Sequence, residues 1–194
     1  MIKNPSYKLL FSFNQRIFKR ILWYLKPEVK DRILDIGCNR GFYVKAMEEY
    51  AKDALGVDLD DVSVKNAVTG RVFWGDALDL NFENNYFDKA YSLHLVEHIE
   101  DTKSFLSESA RVLKPGGKFL LAYPFELFRG MQVIPFATIR RKNPFLIRKI
   151  HIHNFNPNKI KNIVSGTPFS YIKSELFFTV FPPSCQYFTL LEKK

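Results

Sequence analysis

The stretch that decides the fold is residues 32–41, Arg32-Ile33-Leu34-Asp35-Ile36-Gly37-Cys38-Asn39-Arg40-Gly41. A short apolar run closed by glycine reads as a strand entering a turn, and residues 41–52 continue as a helix. A turn of this kind brings backbone amides up to a ligand at the carboxyl end of the strand, and glycine allows the approach because it lacks a Cβ. A dinucleotide fingerprint would want glycines at 37, 39 and 42, whereas the chain has Gly37, Asn39 and Phe42. A pyrophosphate cradle is poorly supported.

The strand-and-helix alternation repeats outward. Ala54 to Leu59 is a second strand, with Asp60-Asp61 offering carboxylates to cap a short helix. Arg71 to Trp74 and Phe87 to Leu93 are further strands, Thr102 to Leu113 is a helix closed by Lys114-Pro115-Gly116-Gly117, and Lys118 to Tyr123 is another strand. Helix 158–164 is opened by Pro157. Phe169 to Phe181 and Cys185 to Leu191, separated by Pro182-Pro183-Ser184, read as an antiparallel hairpin at the sheet edge. The expected fold is α/β, Rossmann-like and doubly wound: a mostly parallel seven-stranded sheet with an antiparallel C-terminal hairpin and helices on both faces.

Length and charge set the organisation. At 194 residues the chain suits one domain, read as an N-terminal basic amphipathic helix within 1–30, a cofactor-binding core over 31–124, an acceptor-side insertion over 125–156, and a C-terminal helix and hairpin over 157–194. The first helix is expected over 7–26, with Leu10, Phe13, Ile17, Ile21 and Tyr24 at helical spacing and Pro27 ending it. Net charge is +9, and residues 1–30 contribute +6 and residues 125–153 contribute +5, leaving −2 elsewhere. The chain thus reads as a near-neutral body with two basic segments. Two unrelated cysteines and the lack of a long apolar span or signal-peptide core lead us to expect a cytoplasmic protein, peripheral to a membrane at most.

Two acids stand where a nucleoside would need them. Asp58 ends the second strand, 21 residues after Gly37, where a carboxylate accepts hydrogen bonds from ribose hydroxyls. Asp76, in Trp74-Gly75-Asp76-Ala77, places another carboxylate on the same rim, suited to an exocyclic amine. A glycine turn with two rim acids fits a cationic nucleoside without phosphates.

With these residues in view, the sequence resembles the class I S-adenosylmethionine-dependent methyltransferases, specifically the small-molecule branch called methyltransferase type 11. The resemblance covers about residues 31–124. It rests on Leu34-Asp35-Ile36-Gly37-Cys38-Asn39-Arg40-Gly41, Gly56-Val57-Asp58-Leu59, Gly75-Asp76-Ala77, Phe87-Asp88, Glu97-His98-Ile99-Glu100-Asp101 and Arg111-Val112-Leu113-Lys114-Pro115-Gly116-Gly117. It implies S-adenosylmethionine as cofactor, with S-adenosylhomocysteine as product. The implied cofactor residues are Asp35, Gly37, Cys38, Asn39, Gly41, Asp58, Leu59, Asp76, Ala77 and His94. Gly37 and Gly41 would line the methionine part, Asp58 would hold the ribose, and Asp76 with Ala77 would meet adenine. Asp35 would steady the turn or contact the amino group. Asn39 replaces the usual glycine, and asparagine tolerates positive φ better than most residues, so an intact turn is expected.

His94-Leu95-Val96-Glu97-His98 matches a metalloprotease pattern, which its position after a core strand rules out here. His94 and His98 are the candidate general bases, needed only if the acceptor loses a proton. Some similar methyltransferases bind a divalent metal through Glu-x-x-Glu-His and a later histidine; His94 replaces the first glutamate, and His151 or His153 would be the later ligand. In the basic segments, cations alternate with large apolar groups, a mixture suited to an anionic membrane or a lipid-linked acceptor. A nucleic-acid acceptor is the competing reading, and the stretch after the fourth strand, Ser92-Leu93-His94-Leu95, has no Asn/Asp-Pro-Pro-Tyr element of base-amine methylation. The reading from another class is a noncatalytic protein of this fold that binds a membrane or partner. The expected activity is methyl transfer to a small-molecule or lipid-like acceptor.

Overall fold

A computed structural model of the chain describes residues 13–125, 152–179 and 184–194. The element that organises it is β1, Arg32–Ile36, whose side chains alternate between two apolar layers. Ile33 joins a cluster with Phe18, Ile21, Val44 and Tyr91 on one face. Leu34 and Ile36 join Phe105, Phe119 and Tyr123 on the other. A strand buried on both sides demands helices on both sides, which is what the doubly wound arrangement supplies.

The first helix, α1 (Gln15–Leu25), buries Phe18, Ile21, Tyr24 and Leu25. It starts later than the helical spacing predicts: Asn14 is extended, and its side chain accepts hydrogen bonds from Arg16 N–H and Ile17 N–H, so the helix begins at that cap. Residues 7–12 lie outside the described residues. Lys26, at φ 46°, ends the helix just before Pro27. The second helix, α2 (Phe42–Met47), is half the length expected over 41–52: residues 48–50 close it as a turn, with Tyr50 N–H and Ala51 N–H both donating to Met47 O.

The order continues with β2 (Asp53–Asp58), α3 (Asp61–Lys65), β3 (Val72–Trp74), β4 (Phe87–Leu93), a 3-10 turn at Val96–His98, α4 (Thr102–Val112) and β5 (Leu113–Pro124). It closes with α5 (Pro157–Val164), β6 (Phe169–Thr179) and β7 (Ser184–Lys193). The expected caps are present: Asp60 accepts from Val62 and Ser63 N–H, and Pro157 opens α5 behind the Asn156 cap. Lys114 to Gly117 belong to β5 rather than to a loop before it. Leu113 pairs with Phe87 and Lys118 with Lys89, so the Pro-Gly-Gly stretch is a bulge bridging the two registers.

The seven strands lie in the order β3-β2-β1-β4-β5-β7-β6. β1 to β5 are mutually parallel, while β7 runs antiparallel to both β5 and β6. This is the mostly parallel sheet with an antiparallel C-terminal hairpin read from the sequence. From β1 the chain winds outward to β2 and β3, then returns to build β4 on the other side of β1. That reversal opens a crevice at the carboxyl ends of β1 and β4, the place where open α/β sheets bind ligands.

Candidate active site at the carboxyl edge

The turn after β1 is laced to its neighbour. Gly37 N–H and Cys38 N–H both donate to Val57 O, at 2.9 and 3.0 Å. Gly37, Asn39 and Gly41 have φ of 81°, 52° and 74°, so the turn needs three left-handed positions and Asn39 holds one of them. At Gly41 an added Cβ would lie 2.3 Å from Val72 Cγ2, so close packing on β3 as well as φ selects glycine.

Asp58 stands at the tip of β2 as a clamp. Its Oδ2 accepts Asn39 N–H at 2.6 Å, and its Oδ1 accepts Asp60 N–H at 2.9 Å. Each carboxylate oxygen can accept a second hydrogen bond, and the residue is only half-buried, so acceptor capacity remains at the rim. The indole N–H of Trp74 donates to Leu59 O at 3.1 Å and holds the peptide beyond Asp58 in place. Leu59 and Trp74 are exposed, Asp76 is half-buried with its Oδ1 accepting Leu78 N–H, and Ala77 is buried. The carboxyl ends of β1, β2 and β3 thus bring the turn, Asp58 and Asp76 to one rim.

Asp35 sits beneath that rim at 2 % exposure, opposite Tyr91 across the β1–β4 pair. Burial pushes its carboxyl well above the usual carboxylate range; the nearby Tyr91 hydroxyl lessens the effect and the Asp58 charge adds to it. The Tyr91 hydroxyl is buried beside that carboxyl and has no other hydrogen-bond partner among the described residues. A buried carboxyl that can ionise beside a neutral hydroxyl suits a cationic group such as an amine. The turn amides go to Val57 and Asp58, so it is Asp58 that steadies the turn.

On the other side of the crevice, His94 ends β4 with φ 55°, its N–H donating to Ala122 O at 2.8 Å. Its ring spans two polar groups: Nε2 lies 2.7 Å from Gln186 Oε1, and Nδ1 lies 3.3 Å from Glu97 Oε1. Glu97 is buried, and among the described residues neither of its oxygens has a hydrogen-bond partner; nor does Gln186 Nε2. Turning the Gln186 amide over would set its N–H against His94 Nε2, with His94 Nδ1–H facing the Glu97 carboxylate.

His98 is exposed in the 3-10 turn, four positions after His94. His153 lies 3.3 Å from Glu100 O through Nε2, and His151 is outside the described residues. Among the described residues no three His, Cys, Asp or Glu side chains converge to hold a metal ion. Sequence reading overlooked Gln186, which lies 92 positions from its partner; its only signal was a lone amide in the apolar run Cys185-Gln186-Tyr187-Phe188.

Comparison with known proteins agrees with this geometry. Residues 34–121 match the family model described as a methyltransferase domain. A ubiquinone biosynthesis O-methyltransferase from Idiomarina loihiensis is 31% identical over 100 residues, 47% of this chain and 41% of that protein. A 27-O-demethylrifamycin SV methyltransferase from Amycolatopsis mediterranei is 30% identical over 118 residues, 55% of this chain and 43% of that protein. The aligned region thus spans less than half the length of these two relatives. A solved structure of an S-adenosylmethionine-dependent methyltransferase from Mesorhizobium loti superposes with a TM-score of 0.71 at 20% identity, covering 92% of this chain and 96% of that one. Residues 34–121 are thus similar to methyltransferase domains, and the sheet shares the fold of a solved S-adenosylmethionine-dependent methyltransferase.

Proposed function

We propose that this protein transfers the methyl group of S-adenosylmethionine to a small-molecule or lipid-like acceptor, working beside an anionic membrane surface. The observation that carries the cofactor reading is the 2.6 Å bond from Asn39 N–H to Asp58, which joins the glycine turn and the ribose-holding carboxylate into one preformed unit. In this reading Gly37, Cys38, Asn39 and Gly41 present backbone to the methionine part, and Asp35 with Tyr91 receives its ammonium. Asp58 accepts from the ribose, Leu59 covers the adenine, and Asp76 and Ala77 meet its edge. The fit is chemical as well as spatial: the donor is cationic, and Asp35, Asp58 and Asp76 bring three acids to the crevice.

Bound S-adenosylmethionine supplies a methyl already activated by its sulfonium. The protein's task is then to align the acceptor and keep water away, a contribution that proximity alone makes large. His94 is the base for an acceptor hydroxyl. To act so, its Nε2 exchanges Gln186 for the acceptor, while the Glu97 carboxylate holds Nδ1–H and steadies the charge that develops on the ring. The small organic acceptor is supported by the relatives' names, and the membrane by the basic aromatic segments of the sequence.

The test is transfer of a labelled methyl group from S-adenosylmethionine into a cell extract, followed by separation into lipid, small-molecule, nucleic-acid and protein fractions. Label in the lipid or small-molecule fraction that depends on His94 is the expected result. Label confined to nucleic acid or protein, or no label with the folded protein, would overturn the reading.

A further inference from the structure

Among the described residues, one face of the molecule beside the crevice combines cations and aromatic rings with a single acid among them. Along α1, Arg16, Lys19, Arg20 and Trp23 border a shallow groove of about 390 Å³ whose other wall is Phe177 and Phe178 of β6. The Arg20 guanidinium lies 4.7 Å from the Phe177 ring centroid and 5.7 Å from that of Trp23. Lys173 of β6 places its Nζ 4.0 Å from the Trp23 ring. The acid is Glu175, which pairs with Arg20 at 3.8 Å and with Lys173 at 2.9 Å. Arg16 and Lys19 are exposed, Trp23 is 50% exposed and Phe178 62%.

The groove is tied to the crevice by the sheet register. Since β6 runs parallel to β5, its Phe177 and Phe178 end lies at the same carboxyl edge as His94. Phe177 pairs directly with Gln186, whose amide touches the His94 ring at 2.7 Å. A single strand spacing, about 5 Å, therefore separates the proposed acceptor side from the cationic aromatic face.

We propose that the α1–β6 face docks on an anionic lipid bilayer and so presents the carboxyl edge to a membrane-held acceptor. This rests on the lipid-like acceptor reading and names the surface that serves it. Four cations against one acid provide the charge complementarity. Trp23 and Phe178 provide rings at the depth of the headgroups, where amphipathic side chains are favoured. An acidic soluble partner would satisfy the cations and leave those two exposed rings without a role.

The test is sedimentation of the whole chain with vesicles of phosphatidylcholine alone or with phosphatidylglycerol added, beside the emission of Trp23 in a Trp74→Phe background. The expected result is binding to the phosphatidylglycerol vesicles, weakened about tenfold or more by Arg16→Glu with Lys19→Glu and retained by Arg16→Lys with Lys19→Arg. Trp23 emission is expected to shift to the blue on binding. Equal partition onto both vesicle types, unchanged binding by the charge-reversed protein, unmoved Trp23 emission, or cation-dependent self-association or polyanion binding without vesicle binding would each overturn the proposal. S-adenosylhomocysteine affinity, measured with Trp74 in place, is expected to be equal in the wild-type and charge-reversed proteins. Failure of docking with cofactor binding intact then refutes only this surface, whereas vesicle binding with no cofactor affinity refutes the methyltransferase reading itself.

Discussion

Asp58 has two duties, since its carboxylate both holds the Asn39 amide and faces the rim. Asp58→Ala is expected to weaken S-adenosylhomocysteine binding by about 1–3 kcal/mol, with a lower unfolding midpoint as well; unchanged affinity in calorimetry would remove it from the site. Asp35 carries a pH signature. Its carboxyl is raised in the folded state, so the stability that protonation contributes is full in acid and is lost as pH rises from the ordinary carboxylate range through the folded value. Asp35→Asn should therefore melt above wild type at pH 8 and converge with it in acid, while binding cofactor more weakly. Calorimetry in buffers of different ionisation enthalpy should show proton release when wild type binds a cationic ligand and none with Asp35→Asn. For His94 the partner is Glu97, whose buried carboxylate has no hydrogen bond among the described residues and lies 3.3 Å from the imidazole. Glu97→Gln and His94→Ala should each slow methyl transfer by about 100-fold with cofactor affinity retained. The double variant should be little worse than either, as expected of residues acting as a unit; additive losses would separate them.

Among the elements, the turn between β1 and α2 is the most sequence-determined. Gly41→Ala combines a φ of 74° with a Cβ 2.3 Å from Val72, and about 1–3 kcal/mol of lost stability in urea unfolding is the expected outcome. Helix α1 is fixed at its far end by Asp31 and Lys89, a pair with side chains 6% and 12% exposed; Asp31 also accepts Glu28 N–H and Lys89 donates to Lys26 O. The local rules made much of this visible. A five-residue apolar strand before Gly37, an acid ending β2 and capping residues at Asp60 and Asn156 all speak through their neighbours in sequence. The misplaced start of α1 has an equally local cause, in the Asn14 cap. The β5 bulge was hidden because Pro115-Gly116-Gly117 is also the composition of a helix-ending loop. Gln186 and Tyr91 were hidden for a different reason: their importance comes from strand pairing across the sheet, which no spacing along the chain reveals.

At the scale of the molecule, the sheet sorts chemistry along its carboxyl edge: acids at the ends of β1 to β3, a histidine at the end of β4, and cations with aromatic rings beyond β7. Among the described residues no helix is long and apolar enough to cross a membrane, and the proposed docking is a surface contact only. The wider arrangement was foreshadowed by the +6 of residues 1–30, yet the contribution of Lys173 and Phe177 emerged only when the hairpin folded β6 against α1. The central claim is that the crevice beside β1 receives a sulfonium nucleoside, and titration calorimetry of the whole chain tests it most directly. S-adenosylmethionine and S-adenosylhomocysteine are each expected to bind at one site per chain, with NAD and ATP giving no heat of binding. Folded protein that binds neither adenosyl compound, or that prefers a phosphate-bearing nucleotide, would contradict it.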